Sequence, residues 1–309
     1  EPLVLNERPI LAIHGWQENA GTWDTLVPML NTKRPVLAID LPGHGFSSKI
    51  PPGIPYDFWQ WVQIIIHLKE HFKWNQVSLL GHSMGSVTCF RYAAIFPEVV
   101  DFYIGIEALD YYDYIDDKLP PIEKHYYDRV RTFYTRNARQ KPRLYTLQEI
   151  SEVWLLGNSR SLSSESVPHL LKRGVIQSKS DPDKYYFSRD ERLKSCHFIP
   201  NSKEFINTLA LHVTCPTIFF KGRESQYQTN AYTQSLQKLI QINNPKYENY
   251  VVAGTHHLHL NTPQNIAPLI NNFLEKYSIY TDASFPGARR YKLRKRQAER
   301  WSPRAYDVM

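Results

Sequence analysis

Val77-Ser78-Leu79-Leu80-Gly81-His82-Ser83-Met84-Gly85 is the stretch whose reading decides the fold, an apolar run that stops at Gly-x-Ser-x-Gly. Val77 to Leu80 carry the short continuous apolar pattern of a buried strand. Ser86 to Ala94 follow at once with helical spacing, and Pro97 stops them. A strand, a tight turn and a helix are what a nucleophile elbow requires: the serine sits on a strained turn that pushes its hydroxyl clear of the sheet. Gly81 and Gly85 leave room where the two backbones crowd together. Ser83 is therefore the candidate nucleophile. An ordinary glycine-rich turn is the plainer reading of these five residues alone, and the rest of the chain argues against it.

Upstream, Ile10-Leu11-Ala12-Ile13 reads as a buried strand that ends at His14-Gly15-Trp16-Gln17. A loop turning away after that glycine can aim the Trp16 N–H at a developing oxyanion, with the N–H of Met84 as second donor. Asn19 to Leu30 reads as a loop entering a short helix around Trp23, Leu26 and Leu30. Pro35 to Asp40 is a second strand, closed by the tight loop Leu41-Pro42-Gly43-His44-Gly45. His44 there has two readings, catalytic or bonded to nearby backbone. Tyr56 to Phe72 is an amphipathic helix leading into the elbow strand. Buried strands alternating with helices imply an α/β fold, a mostly parallel central sheet with helices on both faces. Ligands of such sheets bind beyond the C-terminal strand ends, where His14, Asp40 and Ser83 fall.

Downstream, Phe102 to Ile106 is another buried strand, and it ends in Glu107-Ala108-Leu109-Asp110, a carboxylate-bearing end on the same rim. The alternation then stops. From Tyr111 to Ala210 the pattern is of amphipathic helices, one opening at the capping box Thr146-Leu147-Gln148-Glu149 and one running from Ser163 to Gly174. This insertion follows a strand end directly and is expected to overhang the site as a helical lid. Its tyrosines, among them Tyr111, Tyr112, Tyr114, Tyr126, Tyr127, Tyr134, Tyr185 and Tyr186, are suited to packing and to lining an apolar pocket. Alternation resumes with the strand from Pro216 to Lys221, a helix from about Asn230, and a last strand, Tyr247 to Val252. That strand ends in Ala253-Gly254-Thr255-His256-His257-Leu258-His259, and a closing helix runs to Tyr277. A serine nucleophile needs a base held by a carboxylate, and this strand end supplies the histidine.

Composition narrows the partners. With 309 residues and 42% hydrophobic content, the chain can bury one large core or a core bearing an insertion. No apolar run is long enough to cross a bilayer. Three cysteines, Cys89, Cys196 and Cys215, are too few and odd in number for a disulfide framework, which points to an intracellular, cytoplasmic setting. The chain starts at Glu1 and reaches a core-like strand almost at once, so a natural N-terminus, with any targeting signal, is expected to be missing. Of the net charge of +7, only +2 belongs to the body, because eight Lys or Arg against three acids lie from Thr281 to the end. The run Arg289 to Arg296 therefore reads as a solvated tail, with an anion-binding or import role as its alternative.

Taken together, these residues resemble the α/β-hydrolase fold over roughly Ile10 to Tyr277, and more closely the serine hydrolase-like (kraken-type) proteins. Tyr186-Phe187-Ser188-Arg189-Asp190-Glu191-Arg192-Leu193 is similar to that group's Arg-Asp-x-Arg segment. The resemblance implies that His256 is the base among the three histidines, since it closely follows Gly254 and precedes Pro263 by seven positions. For the acid, most members of the fold carry an aspartate where this chain has Ser225, with Glu224 one residue early; the dehalogenase branch instead uses the place of Glu107. Glu107 is favoured, Glu224 is the alternative and Asp110 the third choice. The chain also lacks most of the fold's first two strands.

The expectations are thus a hydrolase core over residues 1–107 and 211–278, a lid over 108–210, and a basic tail over 279–309. The function expected is a serine hydrolase of small, apolar carboxylic esters working through Ser83, His256 and Glu107, with Trp16 and Met84 as the oxyanion hole. No metal or organic cofactor is implied. The rivals are carbon–carbon bond or thioester hydrolysis on the same fold, and a non-catalytic ligand-binding protein that keeps it. An anion or nucleic-acid binder acting through the basic tail is the last choice, and no nucleic-acid partner is expected.

Overall fold

A computed structural model describes residues 8–110, 119–137, 141–158, 161–195, 201–227 and 231–278. The basic tail at 279–309, Tyr111, Tyr112, Tyr114 and Cys196 lie outside the described residues. In chain order the elements are β1 (Ile10–Ile13), β2 (Val36–Ile39), α1 (Phe58–Phe72), β3 (Val77–His82), α2 (Met84–Ile95) and β4 (Val100–Ile106). Then come α3 (Leu119–Thr132), α4 (Leu147–Gly157), α5 (Val167–Gly174), β5 (Val175–Gln177), β6 (Tyr185–Phe187) and α6 (Lys203–His212). The chain closes with β7 (Thr217–Gly222), α7 (Ala231–Asn243), β8 (Tyr247–Val252), α8 (Leu258–Asn261) and α9 (Ala267–Tyr277).

Six strands form one sheet in the order β2-β1-β3-β4-β7-β8, and every pairing is parallel. Successive side chains of a strand point to opposite faces, and two separate cores result. Leu11, Ile13, Leu79, Tyr103 and Phe219 belong to the core packed under α1, α2, α6 and α7. Ile10, Ala12, Leu80, Ile104, Ile218 and Phe220 belong to the other, with Trp23, Leu258 and the α9 residues Ile270 and Phe273. Burying each such side chain contributes roughly 1.5–3 kcal/mol, which a sheet covered on both faces collects twice over.

Helix α2 carries the site and is buried all round, from Met84 to Ala94, as a helix enclosed by sheet and helices must be. Gly85 is dictated by that enclosure, because a Cβ there would sit 2.0 Å from the Ile13 carbonyl oxygen. Gly81 is equally constrained by the Gly85 carbonyl, 2.5 Å from where its Cβ would be. These contacts press the start of α2 against the end of β1, so the loop after β1 and the elbow after β3 share one rim.

Two local readings change. The short helix expected around Trp23 is a pair of tight 3-10 turns, Ala20–Trp23 and Val27–Met29, the second started by Pro28. Between β4 and β7 the structure adds a two-stranded antiparallel hairpin, β5 with β6, that periodicity over three residues could not reveal. Thr146 and Glu149 form the expected capping box at the start of α4. Helix α6 packs on α2 and α7, with Ile206, Leu209 and Ala210 in the core.

Candidate active site

Ser83 occupies the turn between β3 and α2 at φ 50°, ψ −118°, and its side chain makes no capping bond to the helix. A non-glycine residue at positive φ costs about 1–3 kcal/mol and persists only where its surroundings enforce it. Here Ser83 N donates to Ile106 O (2.9 Å) and Val87 N to Ser83 O (3.0 Å), tying the turn to β4 and to the helix.

His256 stands beside this turn. Its Nδ1 lies 2.9 Å from Glu107 Oε2, and its ring centroid is 4.8 Å from that of His82, the residue before the serine. With Nδ1 donating to the carboxylate, Nε2 is the basic nitrogen. No hydrogen bond joins Ser83 to His256 among the described residues. Burial pushes His256 down to about 4, against the pull of Glu107 and with a further downward push from His82.

Glu107 directly follows β4 at φ 77°, a second strained residue of the site. Its backbone N–H donates to Phe220 O at 2.8 Å, and its fully buried carboxylate collects four donors. Gly222 N reaches Oε1 at 2.5 Å; Lys221 Nζ, Ser225 Oγ and His256 Nδ1 reach Oε2 at 2.8, 2.6 and 2.9 Å. Burial alone would raise its pKa, but the His256 hydrogen bond and the Lys221 ammonium outweigh that and hold it below the usual carboxylate range. The alternatives stand elsewhere. Glu224 accepts from Gly254 N, and Asp110 is paired with Arg91 at 2.7 Å in a fully buried bridge. Ser225, at the place of the fold's usual aspartate, instead donates to Glu107, so both possible positions of the acid meet at one carboxylate.

The loop after β1 is braced by histidines and a carboxylate. Leu41 N donates to His14 Nε2 (3.0 Å) and Gln17 N to His44 Nε2 (3.1 Å), which leaves the hydrogen of each ring on Nδ1, donated to Gly15 O and Pro42 O. Burial, first of all, pushes both rings toward the neutral form, His44 well below its ordinary value. His44 is thus bonded to backbone. Gly15 N donates to Glu18 Oε2 (3.1 Å), and the Trp16 indole N–H donates to Leu193 O (3.1 Å), linking the loop to the segment between β4 and β7. Met84 is the first residue of α2, where backbone N–H groups lack helical partners.

Beneath the serine lies an ion pair that sequence reading did not single out. Glu18 Oε1 is 2.9 Å from His82 Nδ1 and 3.3 Å from His257 Nε2. His82 Nε2 donates to the His256 carbonyl at 2.9 Å. Burial opposes charge on both groups, yet their attraction raises His82 and holds Glu18 well below its ordinary value. Glu18, His82 and His259 place ligand atoms within 4.8 Å of one another, a make-up that could hold a metal. The Glu18 oxygens are already engaged by Gly15 N and the two rings, and His82 Nε2 is committed to the His256 carbonyl, so the group reads as a buried histidine–carboxylate pair. The only sequence signals for it were a histidine inside the serine motif and a glutamate three residues past Gly15. Tyr227, also missed, lays its ring 4.3 Å from that of His256.

The family profile described as alpha/beta hydrolase fold matches residues 8–263. A Drosophila melanogaster protein named "Probable serine hydrolase" is 33% identical over 271 residues, which cover 87% of this chain and 81% of that protein. A Danio rerio serine hydrolase-like protein is 31% identical over 281 residues, covering 88% and 82%. Among solved structures, a hypothetical protein of Pseudomonas aeruginosa PAO1 superposes with a TM-score of 0.77 at 24% identity, covering 88% of this chain and 93% of that one; this likeness is one of fold. Among the described residues, no helix is long and apolar enough to cross a membrane.

Proposed function

The chain belongs to the α/β-hydrolase fold family, in its serine hydrolase-like group, and from that membership we propose that it cleaves carboxylic esters of small, apolar substrates through an acyl-enzyme on Ser83. The observation that carries this is the His256–Glu107 pair, 2.9 Å apart, set beside a serine held at positive φ on the elbow. His256 Nε2 takes the Ser83 proton as Oγ attacks the acyl carbonyl, and the N–H groups of Trp16 and Met84 hold the oxyanion. The imidazolium, steadied by Glu107, then gives its proton to the leaving alkoxide. Water, deprotonated by the same nitrogen, attacks the acyl-serine, and proton return to Ser83 releases the acid. General-base help of this kind contributes about 10²–10⁴-fold, and one oxyanion donor about 10²–10³-fold.

The cap reading fits the same mechanism. We read the described residues between Leu119 and Ser195 as a lid over the strand ends, the expected lid over 108–210 being shortened because α6 packs in the core: Leu193 O meets the Trp16 indole, Asp190 N donates to Gly43 O (2.7 Å), and Asn19 Nδ2 donates to Leu170 O (2.9 Å). Tyr126, Tyr127 and Tyr134 line an apolar cavity of about 150 Å³ beside Tyr56, which suits the tyrosine-rich composition. Hydrolysis of a p-nitrophenyl ester series from two to twelve carbons is the test. A pre-steady-state burst of p-nitrophenol matching the enzyme concentration is expected for at least one chain length. A folded protein that is inert to the whole series would replace the hydrolase reading by a ligand-binding one.

A further inference from the structure

A second cavity of about 380 Å³ opens between the loop after β2 and the Arg189-Asp190 segment. Its charges do not cancel. The Asp190 carboxylate is spent on Arg192 (2.7 Å) and on the Tyr56 hydroxyl (3.0 Å), and Glu191 stands 3.6 Å from Lys194. Three further cations, Lys49, Arg143 and Arg189, also line the cavity. None of the three makes an ion pair or a side-chain hydrogen bond among the described residues.

Arg189 is the unusual member. Its guanidinium carbon lies 3.8 Å over the Phe187 ring and 5.6 Å from that of Trp154, so stacking fixes its plane and leaves its N–H edge for a ligand. Surrounding protein desolvates it enough to lower its pKa to about 10, which leaves it charged at neutral pH. The charge of Glu191 offsets its burial only in part; a cation so placed without a direct ion pair is costly, and its planar fork fits the two oxygens of a carboxylate or phosphate. The site also lies close to the chemistry. His44, whose Nε2 accepts from the oxyanion loop, is held neutral by burial and by His14, with a smaller push from the charge of Arg189.

We propose that this cavity binds an anionic group, a carboxylate or phosphate carried by a small molecule, with Arg189 as its anchor and Lys49 and Arg143 at its rim. Calorimetric titration of the full chain with inorganic phosphate and with glutarate tests it without any need for turnover. Saturable 1:1 binding is expected, weakened about tenfold in Arg189→Gln and about threefold in Lys49→Ala, an exposed position that leaves the stacked core intact. Absence of saturable binding to either anion, or equal binding by the parent and both variants, would overturn the proposal.

A second arm, which rests on the ester-hydrolase reading, identifies the source of the anion. If it belongs to the substrate, p-nitrophenyl hydrogen glutarate is preferred over p-nitrophenyl butyrate in kcat/KM, and the preference falls about tenfold in Arg189→Gln. If it is a separate ligand, phosphate binds equally with and without ester, and no preference exists; the site stands in either case. A parent that binds phosphate but cleaves no ester upholds the site and removes the proposed function alone.

Discussion

Replacing Glu107 by Gln separates the proposed acid of the triad from its neighbours. The parent carboxylate gathers three donors on Oε2 and one on Oε1, whereas glutamine offers a single acceptor oxygen. Turning that oxygen toward His256, Lys221 and Ser225 keeps the ring in its working tautomer but points the amide NH₂ at Gly222 N–H. The negative charge is lost either way. Two unit charges about 4 Å apart at an effective dielectric near 20 attract by about 4 kcal/mol, and this attraction arises only when His256 becomes protonated in the transition state. About a thousandfold loss in kcat/KM is expected for Glu107→Gln. Glu224→Gln, which keeps an acceptor oxygen for Gly254 N and loses only an exposed charge, is expected to stay within about threefold of the parent. The assay is p-nitrophenyl ester hydrolysis normalised to folded protein by circular dichroism. A Glu107→Gln enzyme within tenfold of the parent, or a Glu224→Gln enzyme as impaired as Glu107→Gln, would refute the assignment of the acid.

Further outcomes follow from the same geometry. With His256 as the proposed neutral base, pushed down to about 4 by burial, kcat/KM should fall as pH drops through about 4, well below the ordinary histidine range. His82→Gln removes a cation that adds to this depression, so the acid limb should move to higher pH; a limb already at 6.5 in the parent would show that His256 is not so desolvated. Arg91→Ala leaves the buried Asp110 carboxylate without its bridge, a loss of about 3–5 kcal/mol that should lower Tm by roughly 10 °C in differential scanning fluorimetry. Gly85→Ala forces a Cβ onto the Ile13 carbonyl, backbone that cannot yield, and is expected to cost about 3 kcal/mol or more; a soluble variant with parental Tm would contradict the crowding at the elbow.

What the sequence made legible was local. The apolar runs of β1, β3, β4 and β7 and the Gly-x-Ser-x-Gly turn carry their meaning within a few residues, so the sheet, the elbow and the strand-end histidine could be read directly. Choosing among His256, His257 and His259 needed the resemblance, because all three follow the same strand end within a span of four residues. What stayed hidden depends on pairing at a distance. Lys221 and Ser225 meet Glu107 across more than a hundred residues, and Glu18 meets His82 only because β1 and β3 are neighbours in the sheet. Neither a lone lysine inside a strand nor a glutamate in a loop announces such a partner. The β5–β6 hairpin escaped for a different reason: strands of three residues show no period, and tertiary contacts define them.

Ser83 as the nucleophile is tested most directly by treating the folded parent with a fluorophosphonate and locating the adduct by mass spectrometry, beside Ser83→Ala and His256→Ala. One adduct on the peptide carrying Ser83 is expected, absent from Ser83→Ala and formed at least a hundredfold more slowly in His256→Ala, roughly the share of a general base. A folded parent that takes no label, or one labelled at another residue, would contradict it.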